Sequence, residues 1–231
     1  GIEAINNLGN PAALIGHSLG EYTALCLSGY LDFKDTLKVI AVRGEEMQKA
    51  VESSNTTMAA VLTSDLETTI GEIEKLNNQG IQIWISNFND PSQIVISSFI
   101  DDMSYLKTNP KALGAKRVIP LEVAGAFHTE IVSSAKKPLE DTLNEIDISE
   151  GKIPVYMNVD AKKVELSTLK ENLVNQIDNS VLFNQQIEFV NKEIDPDLWC
   201  HIGPGNVTAG MVRKSISYKD LKVINSLESS K

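Results

Sequence analysis

The apolar positions near the start of the chain change from a short continuous run to a helical spacing. Residues 12–15 are apolar, and after a glycine-containing turn the residues Tyr22, Leu25 and Cys26 fall on one helical face. This change predicts a strand followed by a helix that begins near Glu21. Beyond it, apolar residues spaced three and four apart predict a long amphipathic helix over residues 33–53.

The stretch 54–121 contains short apolar runs that alternate with helical spacings. The predicted strands are residues 58–62, 81–85, 93–97 and 117–121, and the predicted helices are residues 66–76 and 99–106. The resulting order, β-α-β-β-α-β, is that of the ferredoxin-like split unit. We therefore expect residues 54–121 to form a ferredoxin-like subdomain that is inserted into a main domain made of residues 1–53 and 122–231.

Strands and helices continue to alternate in the remainder of the chain. The predicted helices are 129–146, 166–176, 184–192 and 206–215, and the predicted strands are 153–159, a buried strand at 198–202, and 221–225. Alternation of this kind is typical of layered α/β proteins. The predicted fold class is α/β, with a hydrolase-like three-layer α/β/α main domain.

Composition and charge narrow the range of functions. The chain has 231 residues, 42% of them hydrophobic, and a formal net charge of −10, which disfavours nonspecific binding to nucleic acid or to anionic membranes. No apolar stretch approaches the roughly 20 residues of a membrane span. Cys26 and Cys200 lack metal-binding spacing, so we expect buried thiols in a reducing compartment and no metal site.

The turn Gly16-His17-Ser18-Leu19-Gly20 has the pattern of a nucleophile elbow, in which a serine lies on a sharp turn between a strand and a helix. The glycines on either side are expected to allow a backbone too tight for side chains. The N–H groups at the start of the helix would face an oxyanion, which indicates acyl transfer through a serine ester. The alternative is an ordinary Gly-Ser turn.

A serine nucleophile needs a base, and the chain offers three histidines. His17 is adjacent to Ser18 and cannot easily turn onto its hydroxyl, whereas His201 lies in an apolar run typical of a core residue. His128 precedes a predicted helix where the chain returns from the inserted subdomain, and it is the favoured base. Arg43 shares the apolar stripe of its helix, so it either extends its head to solvent or receives a carboxylate.

These residues lie in motifs that resemble those of the malonyl-CoA:acyl-carrier-protein transacylases, which include the acyltransferase domains of fatty-acid and polyketide synthases. The resemblance covers essentially the whole chain. The matching motifs are Gly16-His17-Ser18-Leu19-Gly20-Glu21, Arg43-Gly44 followed by Met47, Asn87-Phe88-Asn89 with Pro91 and residues 93–96, Gly125-Ala126-Phe127-His128-Thr129, and Gly203-Pro204-Gly205.

The resemblance implies a role for each matching residue. Ser18 would be the nucleophile and His128 the base, while Arg43 would hold the free carboxylate of malonate. A main-chain carbonyl near Gln176 would orient the histidine, and Phe127 fits the malonyl-type pattern, since methylmalonyl-type domains tend to carry serine there. The Leu19 N–H would stabilise the oxyanion. The expected substrate-binding residues are Arg43, Leu19, Phe127, Gln176, Asn87 and Asn89.

The resemblance also implies the partners. Malonyl-CoA would be the substrate and acyl-carrier protein the acceptor, with no cofactor and a monomeric enzyme. The family's Gly-Gln-Gly segment, which supplies an oxyanion donor, has no match before Ser18, so we expect an upstream segment. The closing motif is similar to fungal mitochondrial members, which suggests the mitochondrial matrix, or alternatively a bacterial-type cytoplasm. Two other functions stay open: a serine thioesterase or esterase, and an inactive, truncated acyltransferase.

Overall fold

The computed structural model describes residues 1–216 and 220–225. Its helices are α1 Ile2–Leu8, α2 Leu19–Ser28, α3 Phe33–Val51, α4 Leu66–Asn78, α5 Ile100–Thr108, α6 Lys136–Asn144, α7 Leu166–Asn175, α8 Phe183–Ile194 and α9 Val207–Ser215. Its strands are β1 Leu14–Ile15, β2 Thr56–Leu62, β3 Ile83–Asp90, β4 Gln93–Phe99, β5 Arg117–Pro120, β6 Val155–Tyr156, β7 Leu198–Ile202 and β8 Asp220–Ile224. Two short 3-10 helices are Pro110–Leu113 and Glu130–Ala135. This is an α/β fold.

The largest core surrounds the parallel pair β1–β6, in which Leu14 lies opposite Val155 and Ile15 opposite Tyr156. Helix α2 follows the turn after β1, α3 packs beside α2, and α6 packs against α3. Their buried apolar side chains form one cluster with α7, which includes Tyr22, Leu25, Val39, Leu139, Leu143, Leu169 and Leu173. Asp32 caps α3 by accepting a hydrogen bond from the Lys34 N–H at 2.8 Å. The core thereby fixes the two helices that follow the predicted elbow.

Residues 56–120 form a four-stranded antiparallel sheet in the order β3-β4-β2-β5. Helices α4 and α5 cover this sheet, and the layer has its own core of buried residues, which includes Val61, Ile73, Ile94, Ile96 and Leu106. The elements follow one another as β-α-β-β-α-β. The division of the chain into domains at residues 54 and 121 stays a prediction.

The pair β7–β8 is parallel and packs with α8 and α9. The expectation that residues 198–202 form a buried strand is wrong, because Leu198 is 45% and Ile202 37% exposed. Trp199 packs against the apolar cluster formed with α8 and α9, but the side chains of Leu198, Cys200 and Ile202 point to the opposite, uncovered face of the strand. Cys200 lies on that face, so its thiol is exposed rather than buried, and Cys26 is half-buried.

Two further elements are shorter than expected. The predicted helix 129–146 is a 3-10 turn, Glu130–Ala135, followed by α6, because Pro138 lacks an N–H and fits only the first turn of an α-helix. The predicted strand 153–159 pairs only over Val155–Tyr156. No helix within the described ranges is long and apolar enough to cross a membrane.

Candidate active site

Ser18 lies between β1 and α2 with φ 51° and ψ −106°, a conformation that non-glycine residues rarely adopt. A Cβ at Gly16 would lie 2.0 Å from the carbonyl carbon of Gly20, so Gly16 is required by this close approach. A Cβ at Gly20 would meet nothing within 4 Å, so the expectation that both glycines are needed for space is wrong for Gly20. Ser18 is half-buried, and the strained turn presents its hydroxyl to His128 and Arg43.

Asn158 holds this turn in place from beneath. Its Oδ1 accepts a hydrogen bond from the Ser18 N–H at 2.9 Å, and its Nδ2 donates to the Gly16 carbonyl at 2.7 Å. Asn158 is fully buried two residues after the end of β6, the parallel neighbour of β1. Sequence reasoning missed this residue. The available signal was its position after an apolar strand, since the ends of parallel strands carry site residues.

His128 lies beside the serine. The Ser18 hydroxyl donates to His128 Nε2 at 2.8 Å, and His128 Nδ1 donates to the Gln176 carbonyl at 2.8 Å. A carbonyl only accepts, so Nδ1 carries the proton and Nε2 is free to act as a base. Burial, with the positive charge of Arg43, lowers the pKa of His128 to about 3, which keeps the imidazole neutral.

The loop before His128 is tied to the neighbouring elements. A Cβ at Gly125 would lie 2.5 Å from the Val51 Cβ, so only glycine allows this approach to α3. The Ala126 N–H donates to Thr56 Oγ1 at 3.0 Å, and the Thr129 hydroxyl donates to the Ala126 carbonyl at 2.7 Å. His128 itself has φ 59°. The loop thus presents the imidazole in one orientation.

Arg43 comes to the same hydroxyl from α3. It is 7% exposed, and its Nη2 donates to Ser18 Oγ at 2.9 Å and to Gln176 Oε1 at 3.0 Å. Its head therefore does not extend to solvent. Its Nε has no hydrogen-bond partner, and no carboxylate lies within ion-pair distance among the described residues. A buried guanidinium in this state can receive a carboxylate at two N–H groups.

Gln176 connects these groups. Its carbonyl orients His128, its Oε1 receives the Arg43 bond, and its Nε2 donates to the Ser18 carbonyl at 3.0 Å. The side chain is fully buried after α7. The sequence predicts Gln176 as a substrate-binding residue and a main-chain carbonyl near it as the partner of the histidine, but it does not predict the hydrogen bonds of the carboxamide to Arg43 and Ser18.

The other residues expected at the site lie around this centre. The Leu19 side chain is 51% exposed, but its N–H, at the first turn of α2, has no partner in the part of the chain that is described. Phe127 is half-buried against the main core. Asn89 Oδ1 accepts from His17 Nε2 at 2.9 Å, one residue from the nucleophile, and Asn87 is buried beside Val181.

His201 takes no part in this arrangement, since its Nδ1 is hydrogen-bonded to Thr208 on α9. A cleft of about 460 Å³ reaches His128 between the four-stranded sheet and the loops after β5 and α7. Its lining combines isoleucines of α4 and β3 with Trp84 and with polar side chains, which include Asn77, Glu130, Asp178, Asn179 and Ser180. Among the described residues, no group of His, Cys, Asp and Glu side chains could hold a metal ion.

A serine hydroxyl at a strained turn, a neutral imidazole that accepts its proton and an unpaired N–H beside it define a class of protein: a serine enzyme that forms acyl esters. The His128 partner is a main-chain carbonyl rather than the carboxylate of a Ser-His-Asp triad. Comparison with known proteins identifies the family within this class.

The acyl transferase domain family matches residues 3–228. The chain is 39% identical over 207 residues to a malonyl CoA-acyl carrier protein transacylase of Bacillus subtilis (strain 168), which covers 88% of the chain and 64% of that relative. It is 34% identical to the protein of that name from Staphylococcus aureus (strain MRSA252), over 100% of the chain and 74% of the relative. The chain therefore spans about two thirds to three quarters of these relatives' length.

The same family appears among solved structures. The chain superimposes with a TM-score of 0.90 and 30% identity on a malonyl-transacylase in complex with a type II polyketide synthase acyl-carrier protein, covering 99% of the chain and 74% of the other. The chain belongs to the malonyl CoA-acyl carrier protein transacylases of the acyl transferase domain family.

Proposed function

We propose that the protein transfers a malonyl group from malonyl-CoA to the phosphopantetheine thiol of acyl-carrier protein. In the first step, Ser18 Oγ attacks the thioester carbonyl carbon while its proton passes to His128 Nε2. The C–S bond then breaks, and the CoA sulfur takes the proton from His128. In the second step, His128 accepts the proton of the carrier thiol, which attacks the malonyl-serine ester and regenerates the Ser18 hydroxyl.

The observation that carries the malonyl assignment is the buried guanidinium of Arg43, whose Nη2 lies 2.9 Å from Ser18 Oγ. The acyl carbon and the free carboxylate of malonate are separated by one CH₂ group. An acyl group bound to Ser18 therefore brings its carboxylate within reach of Arg43. A neutral acyl chain would leave this buried charge uncompensated.

Two further residues are assigned to substrate recognition. The Leu19 N–H, at the positive end of α2, supports the oxyanion of each tetrahedral intermediate. Phe127, directly before the base and packed on the main core, favours an unbranched malonyl group over methylmalonyl. Replacing Phe127 by serine should raise the methylmalonyl-to-malonyl ratio, and an unchanged ratio would remove this assignment.

Acyl-carrier protein is proposed as the partner because a similar structure is a malonyl-transacylase bound to such a carrier. Carrier proteins are usually acidic, and this chain carries a net charge of −10, so docking needs local positive charge. Lys111, Lys116 and Arg117 are exposed and make no salt bridge within the described ranges, whereas Lys214 pairs with Asp90 at 3.1 Å. Reversing the first three charges should weaken carrier binding, and unchanged affinity would exclude this patch.

The competing function is hydrolysis, in which water rather than a thiol accepts the acyl group. The experiment is to incubate the protein with radioactive malonyl-CoA and holo acyl-carrier protein and to measure the label on the carrier and in free malonate. Transfer predicts label mainly on the carrier. Label mainly in free malonate would identify a thioesterase, and no turnover would indicate an inactive acyltransferase. The absence of a cofactor, the monomeric state and a mitochondrial or bacterial-type cytoplasmic location stay predictions.

A further inference from the structure

Beneath Ser18, the carboxyl group of Glu21 is fully buried in the first turn of α2. The mechanism proposed above assigns it no role, although burying a carboxyl group without partners is costly. One oxygen, Oε1, accepts from the Asn158 N–H, and the other, Oε2, accepts from Gln176 Nε2, both at 2.5 Å. Glu21 therefore contacts the two residues that hold Ser18, His128 and Arg43 in place.

The orientation of the Gln176 carboxamide follows from these contacts. Its Nε2 faces acceptors only, namely Glu21 Oε2, the Ser18 carbonyl and Asn158 Oδ1 at 3.1 Å. This leaves Oε1 on the opposite side, where it accepts from Arg43 Nη2 at 3.0 Å. If the carboxamide turned over, its NH₂ group would face the guanidinium, and two donors would meet.

We propose that Glu21 is a positioning residue for carboxylate-bearing substrates, because it fixes the Gln176 carboxamide in the orientation that holds Arg43 beside Ser18. Glu21 does not touch the acyl group and acts through Gln176. The inference rests on the proposed function, since the carboxylate that Arg43 would receive is that of malonate. Its consequence is specific: loss of Glu21 impairs malonyl transfer more than transfer of a neutral acyl group.

The informative substitution is Glu21→Gln, which keeps the size of the side chain. Glutamine offers one acceptor oxygen, whereas the Asn158 N–H and Gln176 Nε2 together need two. Burial raises the pKa of Glu21 to about 8, against the N–H of Asn158 and the charge of Arg43. The assay is therefore run above that pH, where the side chain is the carboxylate. The other charged group that acts on Glu21 is the exposed Asp160, and Asp160→Asn serves as the matched control.

The readout is the ratio of Ser18 acylation by malonyl-CoA to acylation by p-nitrophenyl acetate, a neutral ester. Glu21→Gln should lower this ratio about tenfold or more, the effect of one misplaced charge-assisted hydrogen bond. Asp160→Asn should leave it unchanged. The difference between wild type and Glu21→Gln should narrow near pH 7, where protonated Glu21 presents one acceptor as glutamine does. A purely structural role would lower both rates together at every pH.

A double-mutant cycle with Gln176→Met tests the route of the effect. Methionine keeps the volume but cannot bond Arg43 or Glu21, so Gln176→Met should itself lower the ratio. The double variant should then lie within about twofold of Gln176→Met alone, because both changes act through one contact. Independent, multiplying effects would overturn the proposal. So would an unchanged ratio in folded Glu21→Gln or, if that variant does not fold, in Gln176→Met.

Failure of this inference is distinguishable from failure of the proposed function. If wild-type protein does not accept a malonyl group on Ser18, the proposed function fails before any variant is compared. If wild type is acylated and the variants keep its malonyl-to-acetate ratio, only the role of Glu21 is wrong.

Discussion

Replacing Arg43 by alanine should remove the preference for malonate while leaving the serine reactive. The substitution deletes a buried guanidinium that donates to Ser18 Oγ and to Gln176 Oε1. For a neutral acyl group, the loss is limited to these hydrogen bonds. For a malonyl group, the carboxylate also loses its positive partner in a buried site, which costs about 3–5 kcal/mol.

At about 1.4 kcal/mol for each factor of ten, this extra cost corresponds to a fall of roughly 10²- to 10⁴-fold in the malonyl-to-acetyl ratio. The assay measures kcat/KM for malonyl-CoA and for p-nitrophenyl acetate with the same preparation. Arg43→Lys should give an intermediate ratio, because an ammonium keeps the charge without the planar pair of donors. Lys49→Ala, on the exposed face of the same helix, is the matched control. Equal losses for both substrates in Arg43→Ala would refute the carboxylate role.

Three other results are expected from the geometry. Gly16→Ala should abolish Ser18 acylation and destabilise the fold, because the new Cβ would lie 2.0 Å from the Gly20 carbonyl carbon. Gly20→Ala, whose Cβ meets open space, should keep both the acylation and the stability. Acylation rates and thermal unfolding of the two variants check this, and equal behaviour of the two variants would contradict it. Asn158→Ala should lower the free energy of unfolding by about 2–4 kcal/mol, because it removes the four hydrogen bonds of a buried carboxamide. An unchanged midpoint of urea unfolding would show that Asn158 does not hold the turn in place. The pKa of His128, lowered to about 3, keeps the base neutral, so Ser18 acylation should show no fall near pH 6.5. The lowered pKa also contributes stability above pH 6.5, and this contribution should be lost as the pH falls towards 3, because between these values only the unfolded state binds the proton. His128→Gln should remove this pH dependence of stability. An inflection of the acylation rate at pH 6.5 would show that His128 titrates as an ordinary histidine and would contradict the prediction.

The sequence was sufficient to predict the residues whose chemistry is local to a motif. Ser18 is predictable because the strand, turn and helix around it are consecutive in the sequence. His128 is predictable because His17 is too close to Ser18 in the chain and His201 lies in an apolar run typical of a core residue. For Arg43 the sequence allows two interpretations, since a helical stripe does not reveal whether a side chain ends in solvent or in a cavity. The burial of its head excludes the solvent-directed interpretation, and the carboxylate role stays a proposal.

The parts that sequence reasoning missed depend on contacts between distant segments. Asn158 lies 140 residues from Ser18, and only the parallel pairing of β1 with β6 brings its carboxamide beneath the elbow. The carboxamide of Gln176 and the carboxyl of Glu21 also come from distant segments, 155 residues apart in the sequence. The error at residues 198–202 has a different cause, because an apolar run does not tell how many faces of a strand are covered.

The most direct test of the account is to identify the covalent species on the protein. After brief exposure to malonyl-CoA, intact-mass measurement and peptide mapping should show one malonyl group, located on Ser18, and addition of holo acyl-carrier protein should remove it with formation of malonyl-carrier thioester. Ser18→Ala should acquire no label. A protein that turns over malonyl-CoA without an ester on Ser18, or that loses the ester only to water, would contradict acyl transfer between two thiols.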